Sequence, residues 1–153
     1  MNEDTQRSAL RELRSLLAQK AHFEVHPVDI EDARQRYTEE GFEFTTELQK
    51  FVETYGELTV TWTYSHGETE FTTSTERTMD AAHSTPRSAR IYGQRIGQPV
   101  LIVGTAFSTE EAVLLAGNGE IFLAGDAGIQ RVAKGFENAV QALVTGEWDK
   151  TFF

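Results

Sequence analysis

"FVETYGELTVTWTY", residues 51–64, changes its period in the middle. Leu48, just upstream, with Phe51, Val52 and Tyr55 occupies positions i, i+3, i+4 and i+7, the apolar stripe of a helix. From Leu58 the rule becomes alternation: Val60, Trp62 and Tyr64 on one face, threonines on the other, as in a strand with one covered side. Gly56 stands at the change. A glycine there is expected because the backbone must reverse hand as the helix ends, with Leu58 folding back on the last turn. Helix, corner, strand: the order of layers is set here.

Working upstream, Thr46 and Gln49 have capping-box spacing and open this helix. Asp29 is the expected cap of a preceding helix, with Glu31 and Asp32 in its first turn where acids favour the dipole. Ile30, Ala33 and Tyr37 share one face of it, and Gly41 supplies a left-handed stop. Residues 3–20 form a first helix with Leu10, Leu13, Leu17 and Leu16 as its stripe. The stretch between, Phe23-Glu-Val-His-Pro27, reads as extended.

Downstream, Ser65-His-Gly-Glu68 is a turn and Thr69–Ser74 the returning strand. Residues 75–98 are irregular, with short helical stretches around Met79–Ala82 and Ser88–Tyr92. Val100–Ala106 is a buried strand. Ala112–Ala116 and Glu120–Ala124 flank Gly117-Asn118-Gly119, a hairpin signal, and Gly125-Asp-Ala-Gly128 reads as another hairpin turn. Phe136, Ala139, Val140, Leu143 and Val144 make a last helix stopped by Gly146. Helices, then hairpin strands, then one helix argue for an α+β fold: an antiparallel sheet with helices packed on one side. Residues 1–21 form an N-terminal helix within or appended to the domain, and 22–153 a single domain.

The chain has 153 residues with 39% hydrophobic content and ten phenylalanines, enough for one core. Without cysteine it has no disulfides, thiolate ligands or cysteine nucleophiles. No apolar run resembles a secretory or membrane-spanning segment, so a cytoplasmic location is expected. Net charge is −10. That sign disfavours nucleic acid and anionic membrane as partners and favours a cationic protein. Residues 29–57 hold nine acids against Arg34, Arg36 and Lys50, whereas residues 61–98 hold four of each sign. The excess has an address.

Chemistry is harder to find. His22 and His26 have the spacing of a helical metal pair, but Pro27 and the extended reading oppose a helix, and no third ligand is evident, so no metal site is expected. His66 reads as a turn residue and His83 as a loop residue. There is no GxSxG elbow, and the glycine-rich turns lack the ending that cradles phosphate. Glu31-Asp32, Glu39-Glu40 and Glu110-Glu111 are adjacent pairs, which on a helix point apart and make poor acid–base couples. No cofactor is expected, and the inventory does not require an enzyme.

Three segments together resemble the SUKH superfamily, and most closely its SUKH-3 branch of bacterial immunity proteins. They are "ARQRYTEEGFEFTTELQKFVETYGELTV" (33–60), "IYGQRIGQPVLIVG" (91–104) and "AVLLAGNGEIFLAGDAG…FENAVQALVTGEW" (112–148). The family corner usually has two consecutive glycines; here Glu57 takes the second place. The resemblance implies a SUKH-type α+β domain that acts by binding, commonly by occluding a polymorphic toxin, with no cofactor and no catalytic motif.

The leading reading is an immunity protein that neutralises a basic nuclease or deaminase toxin by direct occlusion, as a monomer or weak dimer. Its contact residues are taken as Glu39, Glu40 and Glu43 around the Gly41 turn, Glu57 at the corner, and Trp62 and Tyr64 on the first strand. Alternation with Val60 would equally place both aromatics in the core, and solvation alone would account for the glutamates. A regulatory or scaffold binding module, which eukaryotic members of the superfamily suggest, is the alternative; a carboxylate-dependent hydrolase is a third.

Overall fold

The computed structural model describes residues 2–64 and 66–152, with side chains from Leu10 onward. Ser65, first residue of the expected turn, lies outside the described residues. The elements run α1 (Asn2–Leu17), β1 (Ala21–Val25), α2 (Ile30–Glu39), α3 (Thr46–Tyr55), β2 (Leu58–Tyr64), β3 (Gly67–Thr72), α4 (Thr75–Asp80) and α5 (Pro86–Ile96). They continue with β4 (Val100–Ala106), β5 (Glu111–Ala116), β6 (Glu120–Gly125), β7 (Gly128–Lys134) and α6 (Phe136–Thr145). All seven strands form one sheet in sequence order β1 to β7, each antiparallel to its neighbours. The α+β expectation is met.

The layers follow from side-chain alternation. Leu58, Val60, Trp62, Phe71, Val113, Ile121 and Leu123 bury on one face beneath α1, α2, α3 and α6. Leu10, Leu13 and Leu17 are the contribution of α1, but Leu16 is 61% exposed, so the stripe is narrower than expected. The opposite face is covered only in part. Ile102, Ala112, Leu114, Phe122 and Ile129 pack there against Ala89, Tyr92 and Ile96 of α5. That helix is longer than the Ser88–Tyr92 stretch anticipated, opening on Thr85, whose hydroxyl accepts from Ser88 N–H at 3.0 Å. Over β1–β3 the outer face carries His22, Glu24 and Glu68, which are exposed, with Thr63 beside them.

The caps refine the sequence reading. Asp29 caps α2 as expected, accepting from Asp32 N–H at 3.1 Å. The cap of α3 is Thr45, one residue before the expected Thr46, accepting from Leu48 N–H at 3.1 Å. Gly41 has φ +91 and stops α2 as anticipated.

Gly56 is needed for a different reason than the one inferred. Its φ of −66 is ordinary for any residue. A Cβ there, however, would stand 2.5 Å from the Val52 carbonyl oxygen. The hand reverses at Glu57, φ 56, the position where the resembling family carries its second glycine. A left-handed glutamate costs about 1–2 kcal/mol, and local bonds hold it. Thr73 Oγ1 donates to the Tyr55 carbonyl at 2.5 Å and accepts from Leu58 N–H at 3.1 Å. The Glu57 carboxylate itself accepts from Thr75 N–H at 3.0 Å, at the start of α4.

Candidate functional site

The acidic segment folds into the α2–α3 pair. Glu39, Glu40 and Glu43 cluster on the connection around Gly41, all exposed. The loop keeps its shape because Phe42 and Phe44 turn inward, each ring 5.7 Å from that of Tyr37. Tyr37 is buried, and its hydroxyl donates to the Ile102 carbonyl at 2.9 Å, tying α2 to β4. Burial, aided by the Glu57 carboxylate, pushes that phenol far above its ordinary range, so it stays a neutral donor.

The two arginines of the segment are already engaged. Arg36 Nη2 meets Asp80 Oδ1 at 3.0 Å. Arg34 donates to Gln49 Oε1 at 3.2 Å and lies 5.1 Å over the Phe44 ring. Glu39 receives a 3.3 Å bond from Gln35 and lies 4.0 Å from Arg36 Nη1. With the cations turned to neighbouring side chains, the turn presents carboxylate to solvent.

The other three candidates lie elsewhere. Glu57 is half-buried and engaged with Thr75, under the junction of α2 and α4. Trp62 is 3% exposed, a core residue, and its indole N–H finds no acceptor among the described residues. Tyr64 is half-buried at the far end of β2, about 23 Å from Glu57 at ~3.3 Å per strand residue. The six therefore form no single patch.

Around Tyr64 a second feature emerges. Its ring is 5.1 Å from Phe107, which is 6.2 Å from Trp148; Lys150 Nζ sits 4.1 Å over the Trp148 ring. Phe107, Ser108 and Thr109 hold φ values of 53, 57 and 73, three successive left-handed residues without glycine. Each costs about 1–2 kcal/mol, and such strain gathers where a surface has a task. No glycine or asparagine marks the Phe107 turn in the sequence, and Trp148 reaches it only through the fold, 41 residues along the chain.

A third cluster gathers His83, Tyr92 and Asp126 around the half-buried Glu111 carboxylate. Glu111 Oε2 is buried against Gly125 without a hydrogen-bond partner. Burial raises its pKa, His83 opposes the rise, and Glu110 and Asp126 add to it. The cleft between α1 and β1 and the shallower one beside α5 both lie away from it. His22 and His26 flank Glu24 on the outer face, each 3.8 Å from its carboxylate. No group of three or more histidine or carboxylate side chains is arranged to hold a metal ion among the described residues. No helix among them is long and apolar enough to cross a membrane.

The fold is a seven-stranded antiparallel sheet with helices, carrying an exposed acidic helical turn between α2 and α3. The model of the SUKH-3 immunity protein family matches residues 14–146, and the chain belongs to that family. No curated protein and no solved structure gives a significant match. Family membership gives the chain an immunity role, which implies a cognate toxin.

Proposed function

We propose that this chain neutralises its toxin by binding and covering it, with no reaction of its own, and that the toxin domain is basic, as a nuclease or deaminase acting on nucleic acid would be. The observation that carries this reading is the exposed Glu39–Glu40–Glu43 turn, whose neighbouring arginines are paired inside the molecule. Arg36 offsets part of the charge of Glu39, while the exposed Glu40 and Glu43 carboxylates offer a negative field to a phosphate-binding surface and speed encounter. Tyr64, with Phe107 and Trp148, offers a separate aromatic contact of the kind that anchors interfaces. Glu57 and Trp62 serve from behind, the first by holding the start of α4, the second by backing the Phe107 ring at 6.2 Å.

The test is co-expression with the protein encoded immediately upstream, scored by rescue and co-purification, followed by association kinetics. Reversing Glu39, Glu40 and Glu43 to lysine should slow association at least ~10-fold at low salt and flatten its salt dependence. These side chains are exposed, so the fold should tolerate the change. An unchanged on-rate would reduce the acidic turn to solvation.

A further inference from the structure

β1 is an edge strand, and the phase of its pairing is known. His26 N–H donates to the Glu57 carbonyl at 3.0 Å, in the same register that pairs Glu24 with Thr59 and His22 with Thr61. Backbone groups of the even-numbered residues therefore face β2. On the other side of β2, Thr73 N–H donates to the Leu58 carbonyl at 2.9 Å, which confirms the alternation. The N–H and C=O groups of Ala21, Phe23 and Val25 point away from the sheet. None has a hydrogen-bond partner among the described residues.

Beside this edge runs a cleft of about 660 Å³ between α1 and β1. Its helical wall carries Arg11 and Arg14, both exposed and neither with a carboxylate partner among the described residues. His22 and His26 stand on the strand side, and Phe23 and Val25 line the floor. In a chain of net charge −10, the charged side chains lining this cleft among the described residues are the two arginines; the histidines at its rim lie 3.8 Å from the Glu24 carboxylate on the outer face.

We propose that the α1–β1 cleft binds an extended acidic segment of a partner protein, which adds an eighth strand to the sheet at β1. The free backbone groups of Ala21, Phe23 and Val25 supply the ladder, and carboxylates at alternate positions of the incoming segment face Arg11 and Arg14. A strand of five residues spans about 17 Å at ~3.3 Å per residue, so the segment is short. Charge decides between occupants. A second copy pairing edge to edge would bring the arginines of both copies together, whereas an acidic strand neutralises them. This surface is separate from the acidic α2–α3 turn, and the inference stands whether or not that turn meets a basic toxin.

The probe is a fluorescein-labelled nonapeptide alternating threonine and glutamate, read by anisotropy with the intact chain. Binding should strengthen as salt is lowered, and amide exchange at Ala21, Phe23 and Val25 should slow on addition of peptide. The double variant Arg11→Glu/Arg14→Glu should bind about tenfold or more weakly. Circular dichroism of that variant checks that its fold is kept. A peptide N-methylated at the amides that would face β1 should lose binding. Equal affinity for the lysine-containing counterpart, unchanged exchange at the three amides of the wild-type chain, or no binding at millimolar peptide would each overturn the proposal. So would sedimentation showing the chain already paired with itself through β1.

Discussion

The two halves of the sheet are built on different plans. β4, β5 and β6 are buried on both faces, and β5 and β6 are nearly continuous apolar runs, Ala112-Val-Leu-Leu-Ala116 and Ile121-Phe-Leu-Ala124. The edge strand β7, by contrast, leaves Arg131 and Lys134 exposed. β1 and β2 are covered on one face and alternate, with Phe23, Val60 and Trp62 inward and His22, Glu24 and the β2 threonines outward. β3 instead pairs Thr69 with Trp62 on the inner face and buries Thr72 at the seam. Each half obeys the rule for its environment. They meet through two residue pairs, Phe71 with Ala106 and Thr72 with Thr105. The singly covered half carries both the open edge and, at the far end of β2, the aromatic rim.

The largest expected effect tests that division. Phe122 is fully buried on the α5 face, so Phe122→Ala should cost about 3–5 kcal/mol in urea unfolding. Thr63→Ala, on the exposed face of β2, should stay within ~0.5 kcal/mol of wild type. Comparable losses at the two sites would mean that the outer face of β1–β3 is covered after all.

The seam between the halves should respond at an intermediate level. Thr73 joins the end of α3 to the start of β2, and Thr72 beside it bonds the Leu58 carbonyl at 3.1 Å and the Thr59 hydroxyl at 2.9 Å. Thr73→Val keeps the shape and removes the hydroxyl, leaving the Leu58 N–H buried and unpaired. The expected cost is about 1–3 kcal/mol, with Thr73→Ser close to wild type. A neutral valine variant would show that Glu57 keeps its left-handed conformation without this bond.

The plan of each half decided what the sequence could reveal. Residues 51–64 declared their corner because the period changes from helical to alternating across Gly56, and Asp29 and Gly41 marked the ends of α2. The reason for Gly56 was not legible, since close approach to the Val52 carbonyl is a three-dimensional fact. β1 was read only as an extended stretch because five residues with two polar side chains carry little pattern, and their partner β2 lies far along the chain. In β7 the buried Ile129 and Val132 serve opposite faces at a spacing that also suits a helix. α5 was blurred by Gly93, which is present because the Gln98 carbonyl oxygen would lie 3.1 Å from a Cβ there. At the candidate site, the address of the acidic excess could be read directly. The pairing of Arg34 with Gln49 and of Arg36 with Asp80, and the left-handed turn at Phe107, could not, because both depend on side chains and strands brought together by folding.

A subtler change concerns the rim of the doubly covered half. Glu111 opens β5, and the buried oxygen of its carboxylate has no hydrogen-bond partner, so ionisation is opposed chiefly by lost solvation. An acid whose pKa is raised on folding holds its proton more tightly in the native state. Between the unfolded and the folded pKa the native chain binds more protons, and stability falls as pH rises through that window. Glu111→Gln removes the charge while keeping the shape. It should therefore be more stable than wild type at pH values above the raised pKa, and the gain should shrink as the solution is acidified. Urea melts across the acid range, comparing the two proteins at each pH, read this directly. A gain that is the same at every pH would place the effect in packing, and a loss at neutral pH would show that the carboxylate, through His83, holds the β5–β6 rim together.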